Sequence, residues 1–153
     1  MNEQCWTRRP PPQPGPAVST LWHAEPVTLT ELAALRRQLR TAVSTDRAAA
    51  VEDDCIEWLL LAFEELTSNG VRHGRPPVQV DLTSSDAGWL LDVSDAAPQD
   101  PPIPAVGRDP GAGGMGLFLV ARTSAAHGWA VSGDRKHVWA QLQVSGSSTP
   151  APA

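Results

Sequence analysis

A chain of 153 residues with 41% apolar side chains has room for one domain with a proper core and little besides. Its formal net charge of −5 and scattered basic residues, with no cluster larger than pairs such as Arg8-Arg9 and Arg36-Arg37, exclude nucleic acid as the main partner, since counterion release needs clustered Lys and Arg. No apolar run approaches the roughly 20 residues of a membrane-spanning helix, and the N-terminus has no apolar stretch of a secretory signal, so a cytoplasmic protein with no membrane partner is expected.

Residues 1–18 contain a Pro-Pro-Pro run without periodicity and are expected to form a disordered, proline-rich tail. The domain proper is expected over 19–144, followed by a low-complexity tail over 145–153. Cys5 and Cys55 form no CxxC and have no nearby His, so they are expected as reduced thiols.

The spacing of Leu32, Leu35, Leu39 and Val43 predicts a first helix over 28–43, capped by Thr28 or Thr30. A second helix is predicted over 48–72, with Val51, Cys55, Trp58, Leu59, Ala62, Phe63 and Leu66 as its buried stripe. His73-Gly74 ahead of Pro76-Pro77 stops it. Alternation at Val78, Val80 and Leu82, a turn at 84–88 and the run 89–93 then predict a hairpin.

The stretch 94–116 has no period at all. Loops of that length within a compact domain are usually lids or binding loops. A third helix follows over 117–126, and a closing hairpin over 129–132 and 137–144 turns at Gly133-Asp134. Helices and strands fall in blocks, which predicts an α+β fold: a two-layer sandwich whose mostly antiparallel mixed sheet carries helices on one face.

Two segments carry candidate chemistry. On the second helix, Glu65 and Asn69 lie about 40° apart and Arg72 joins their flank. The amide oxygen of Asn69 suits Mg²⁺, Glu65 suits proton abstraction, and Arg72 suits a phosphate. In the long loop, Gly111-Ala112-Gly113-Gly114-Met115-Gly116 satisfies G-x-G-x-x-G, yet it follows a proline-rich loop rather than a strand. No βαβ alternation surrounds it, so a dinucleotide-binding fold is rejected. What remains is a glycine-rich entry to a helix, whose N–H groups and dipole favour an anion.

Together, three blocks resemble those of the GHKL (Bergerat-fold) ATP-binding family. Glu65-x-x-x-Asn69-Gly70-x-x-His73-Gly74 is similar to its N box, and Val93-Ser94-Asp95 with Pro98 to its first glycine box. Gly114-Met115-Gly116-Leu117-Phe118-Leu119-Val120 is similar to its second. The run Lys136-His137-Val138-Trp139-Ala140 looks like the closing strand of bacterial anti-sigma factor serine kinases. The likeness covers about residues 20–144 and implies bound ATP and Mg²⁺. It implies that Asp95 accepts from the adenine amine, Asn69 holds Mg²⁺ and Glu65 is the general base. Arg72 and His73 would stand near the phosphates or lid, and Gly113, Gly114, Met115, Gly116 and Leu117 would lie along the phosphates.

Departures from the family pattern are Ala97-Pro98 where a glycine usually follows the Asp, Gly70 where Ala is usual, and a lid rich in proline. The resemblance implies a serine/threonine kinase acting on a small antagonist protein and binding a sigma factor, in a family where homodimers are common. The alternative is a non-catalytic ATP-binding docking module. An ATP-hydrolysing mechanical domain is disfavoured for want of a second domain to use the hydrolysis.

Overall fold

The computed structural model describes residues 6–13, 15, 18–45, 52–102 and 115–144. The chain enters β1 (Ser19–Ala24), makes a 3₁₀ turn at Leu29–Glu31 and continues directly into α1 (Leu32–Ser44). It then forms α2 (Asp53–His73), β2 (Gln79–Ser85), β3 (Gly88–Asp95), α3 (Met115–Thr123), β4 (Ala126–Ser132) and β5 (Arg135–Leu142). The five strands form one sheet in the order β1-β2-β3-β5-β4, with every neighbouring pair antiparallel. This is the α+β two-layer arrangement expected from the blocks of helix and strand period.

Each element follows from local chemistry. The Glu31 carboxylate accepts the backbone N–H groups of Thr28 and Val27, which fixes the entry to α1 and holds the Glu31 carboxyl below its ordinary range. Helix α2 has Asp53 and Asp54 in its first turn and Arg72 and His73 in its last, each sign opposing the helix dipole at that end. Its face Cys55, Leu59, Phe63 and Leu66 is buried, each side chain stabilising by roughly 2 kcal/mol. It packs over Val80, Leu82, Leu91 and Val93 of the central strands. Gly133 takes φ +61° in the β4–β5 turn, a conformation that glycine adopts without a Cβ penalty.

Several boundaries differ from those read in the sequence, the closing hairpin among them, whose strands begin at Ala126 and Arg135 rather than at 129 and 137. β1 was not expected, because STLWHA alternates poorly; it pairs with β2 through a register shift between Thr20 and Trp22. α3 begins two residues earlier and ends three earlier than its apolar spacing suggested, since Ala126 already pairs with Gln141 of β5. The first residues predicted for α2, together with Val51, lie outside the described residues, as does Cys5. Cys55 is a buried free thiol.

The proline-rich N-terminal stretch, expected as an idle tail, contributes a docked segment. Arg8 bridges to Trp129 in parallel, and two backbone bonds flank that bridge, Arg9 N–H to Trp129 O at 2.8 Å and Trp129 N–H to Thr7 O at 3.2 Å. Trp6 is buried, and its indole N–H donates to the Leu117 carbonyl of α3 at 3.2 Å. Arg9 lies over the Trp139 ring, whose own N–H donates to the Arg9 carbonyl at 3.0 Å. Composition marked these residues as tail-like; two aromatic anchors and an otherwise unpaired strand edge override it.

Trp6→Ala is therefore expected to cost about 3 kcal/mol in urea unfolding, in the range of buried Trp truncations. Trp6→Phe should recover part of that loss but not the bond to Leu117. An unchanged midpoint for Trp6→Ala would show that the segment does not hold the edge.

Candidate functional site

Helix α2 touches both candidate segments, and two glycine contacts show how. Gly116, in the first turn of α3, abuts Glu65: a methyl group there would stand 1.9 Å from the Glu65 Cδ and Oε2. Gly74, just past α2, abuts Asp95: a methyl group there would stand 2.5 Å from Asp95 Cγ and 2.6 Å from the Gly70 carbonyl oxygen. At Gly74 the backbone oxygen of Gly70 leaves no room for a side chain, whereas at Gly116 a side chain would displace the Glu65 carboxylate. Asn69 lies one turn beyond Glu65 and five residues before Gly74, so one helix flank joins the start of α3 to the end of β3. At Gly70 a Cβ would make only ordinary van der Waals contact with Val78 and Val93, so the packing of α2 on the sheet does not itself demand glycine there.

Asp95 ends β3 in the phase of Trp89, Leu91 and Val93, on the face turned toward the helices, and is buried. Its Oδ1 accepts the Ala97 N–H at 2.8 Å, and its Oδ2 lies 3.5 Å from the buried Lys136 Nζ. The neighbouring backbone is pinned. Ala96 N–H donates to Arg75 O at 2.7 Å, and the Arg135 guanidinium joins Ser94 Oγ to the Pro77 carbonyl at 2.8 Å each. The carboxylate is held at a fixed place at the rim of the sheet.

Glu65 is half-buried. Burial pushes its carboxyl above the ordinary carboxylate range, Glu64 beside it pushes the same way, and Arg72 opposes both. Asn69 is half-buried as well, and no described residue hydrogen-bonds its side chain. Arg72 and His73 are exposed on the last turn of α2. Leu117 is buried, so only its backbone is turned to any ligand. Met115 opens α3; Gly113 and Gly114 lie outside the described residues, as do all of residues 103–114 of the stretch 94–116 expected as a lid or binding loop.

Sequence reasoning gave Lys136 no role. Its signal was present: strand alternation places it in phase with Val138, Ala140 and Leu142, where a lone charge needs a partner. A separate cleft of about 170 Å³, lined by Pro12, Val18, Thr83, Leu90 and Gln141, opens on the opposite face of the sheet. It belongs to the packing of the N-terminal segment, away from all the groups above.

The raised carboxyl of Glu65 has a consequence for stability. Below the ordinary value of 4.5 both folded and unfolded chains hold the proton; as pH rises through the raised folded value, the native state must ionise a half-buried group and loses stability. Glu65→Gln is expected to raise the urea midpoint near pH 7.5, with the gain shrinking toward zero as pH falls to about 4.5. A gain that persists unchanged at acid pH would contradict this origin.

Comparison with known proteins bears on the same elements. No curated protein matches the chain. Among the described residues no helix is long and apolar enough to cross a membrane. The family model for the histidine kinase-like ATPase domain matches residues 26–142, from just before the 3₁₀ turn to the last residue of β5. That span takes in all three helices and four of the five strands, together with Glu65, Asn69, Asp95 and Gly116, and it covers most of the chain. The chain belongs to the histidine kinase-like ATPase domain family, whose members bind ATP.

Proposed function

We propose that this domain is an ATP-dependent protein serine/threonine kinase of the anti-sigma type, phosphorylating a small antagonist protein and regulating a sigma factor in the cytoplasm. The single observation that carries the reading is the contact of Glu65 with Gly116. It sets a carboxylate against the first turn of a helix whose first four N–H groups lack intrahelical partners. Phosphates favour that helix end, so a base and a phosphate site stand side by side.

In this reading the adenine lies at Asp95, between the end of β3 and the Gly74 turn, and the phosphates run toward Gly116 and Leu117. The donor set fits Mg²⁺ held mainly by phosphates and water. Asn69 offers one free amide oxygen, and among the described residues no group of three His, Cys, Asp or Glu gathers into a protein cage. When bound, Mg²⁺ would neutralise charge on the β- and γ-phosphates. Glu65 takes the proton of the substrate serine as the serine oxygen bonds to the γ-phosphorus. The bond from that phosphorus to the β–γ bridging oxygen breaks, and ADP leaves. Arg72, exposed one turn past Asn69, is placed to meet the transferring phosphoryl group.

The raised carboxyl of Glu65 suits this task, because a base nearer neutrality accepts a proton more readily than an ordinary carboxylate. A docking module without phosphotransfer would need ATP bound but no base at the γ-phosphate. The burial of Glu65 against Gly116 favours the kinase over that alternative.

The test is transfer of labelled phosphate from ATP to candidate antagonist proteins. Glu65→Ala should lower transfer at least about 100-fold while ATP affinity stays within about threefold. Asp95→Asn should instead weaken ATP binding itself, by about tenfold or more. Equal transfer by Glu65→Ala and wild type would remove the general-base assignment, and no transfer to any antagonist with tight ATP binding would favour the docking module.

A further inference from the structure

Asp95 and Lys136 are directly opposite partners in the β3–β5 register, on the face that also bears Val93 and Val138. Both are buried. At 3.5 Å from Asp95 Oδ2 the Lys136 ammonium makes an ion pair, longer than a strong charged hydrogen bond. The same ammonium donates to the Asp100 carbonyl. Asp95 Oδ1 is taken by the Ala97 N–H, whereas Oδ2 keeps acceptor capacity. An ammonium has three donors, and among the described residues only two acceptors face this one. The end of the sheet thus presents an acceptor and a spare donor side by side, away from water.

Resting on the ATP-binding reading with adenine at Asp95, we propose that Lys136 determines base specificity: its ammonium donates to adenine N1 while Asp95 Oδ2 accepts from the 6-amino group. Adenine offers a donor and an acceptor at adjacent positions of one edge, matching this pair. Guanine in the same pose reverses both, setting O6 against the carboxylate and N1–H against the ammonium. In a buried setting such mispairing leaves polar groups unsatisfied, which is where discrimination is strongest. The bond to Asp100 holds the ammonium at its post and ties the base-reading corner to the segment that leads into residues 103–114.

A purely structural role, as counterion of Asp95 and latch for Asp100, would move all nucleotides alike, so the test isolates N1. Dissociation constants are measured on the full chain for ATP, GTP, 7-deaza-ATP and 1-deaza-ATP, in which a C–H replaces N1. Wild type is expected to bind ATP about tenfold or more tighter than 1-deaza-ATP, the size of a charged hydrogen bond, and to bind 7-deaza-ATP like ATP. Lys136→Met should bind ATP and 1-deaza-ATP equally and narrow the preference for ATP over GTP. Lys136→Arg, which keeps a charged donor, should retain sensitivity to N1. Indifference of the wild type to 1-deaza-ATP overturns the proposal even if Lys136→Met fails to fold, and so does an unchanged ratio in a folded Lys136→Met. Failure of the wild type to bind ATP at all would overturn the underlying nucleotide reading instead, and this proposal with it.

Discussion

The site depends on the closeness with which one helix approaches two other backbone segments. Glu65 packs on the Cα of Gly116 and Gly74 packs on the carboxylate of Asp95, each at a separation that a single methyl group would abolish. These contacts are fixed by the hydrophobic stripe of α2, which seats the helix on the central strands. Residues that in sequence are about thirty and fifty positions from Glu65 come to lie along one wall. The apolar core sets the orientation of the helix, and Gly74 lets the chain leaving it close on Asp95.

Charge follows burial along this wall. Asp95 loses its contact with water and is compensated by a backbone N–H, by Lys136 and by the tightly pinned turn around Ala96. Among the described residues Glu65 has only Arg72 as a cationic neighbour, whose effect is outweighed, and its carboxyl is held above the usual range. Asp95 is pinned by its partners, whereas the carboxyl of Glu65 holds its proton more tightly than an ordinary carboxylate. The two roles assigned to these residues differ because their surroundings differ, although both are acidic groups at the rim of the same sheet.

Much of this was legible in the sequence. The helical stripe, the stop at His73-Gly74, the two hairpins and the α+β class follow from periodicity and turn chemistry, and the flank of Glu65 and Asn69 follows from a helical wheel. Asp95 continues the inward phase of Trp89, Leu91 and Val93, so its burial was readable too. The rest was not, for identifiable reasons. β1 lacks clean alternation and earns its place only by pairing with β2. Trp6 and Arg9 precede a run of prolines, and nothing local shows that Leu117 and Trp139 await them more than a hundred residues later. The Asp95–Lys136 pair depends on strand register, which a linear pattern does not contain.

The proposed function requires a single adenine nucleotide spanning the wall from Asp95 to Gly116. Calorimetric titration of the purified chain with ATP and with adenosine, each with and without Mg²⁺, reads this directly. Saturable binding of one ATP per chain, strengthened by Mg²⁺ and much weakened for adenosine, is the expected result. Absence of saturable ATP binding, or affinities for ATP and adenosine that are equal and indifferent to Mg²⁺, would contradict it.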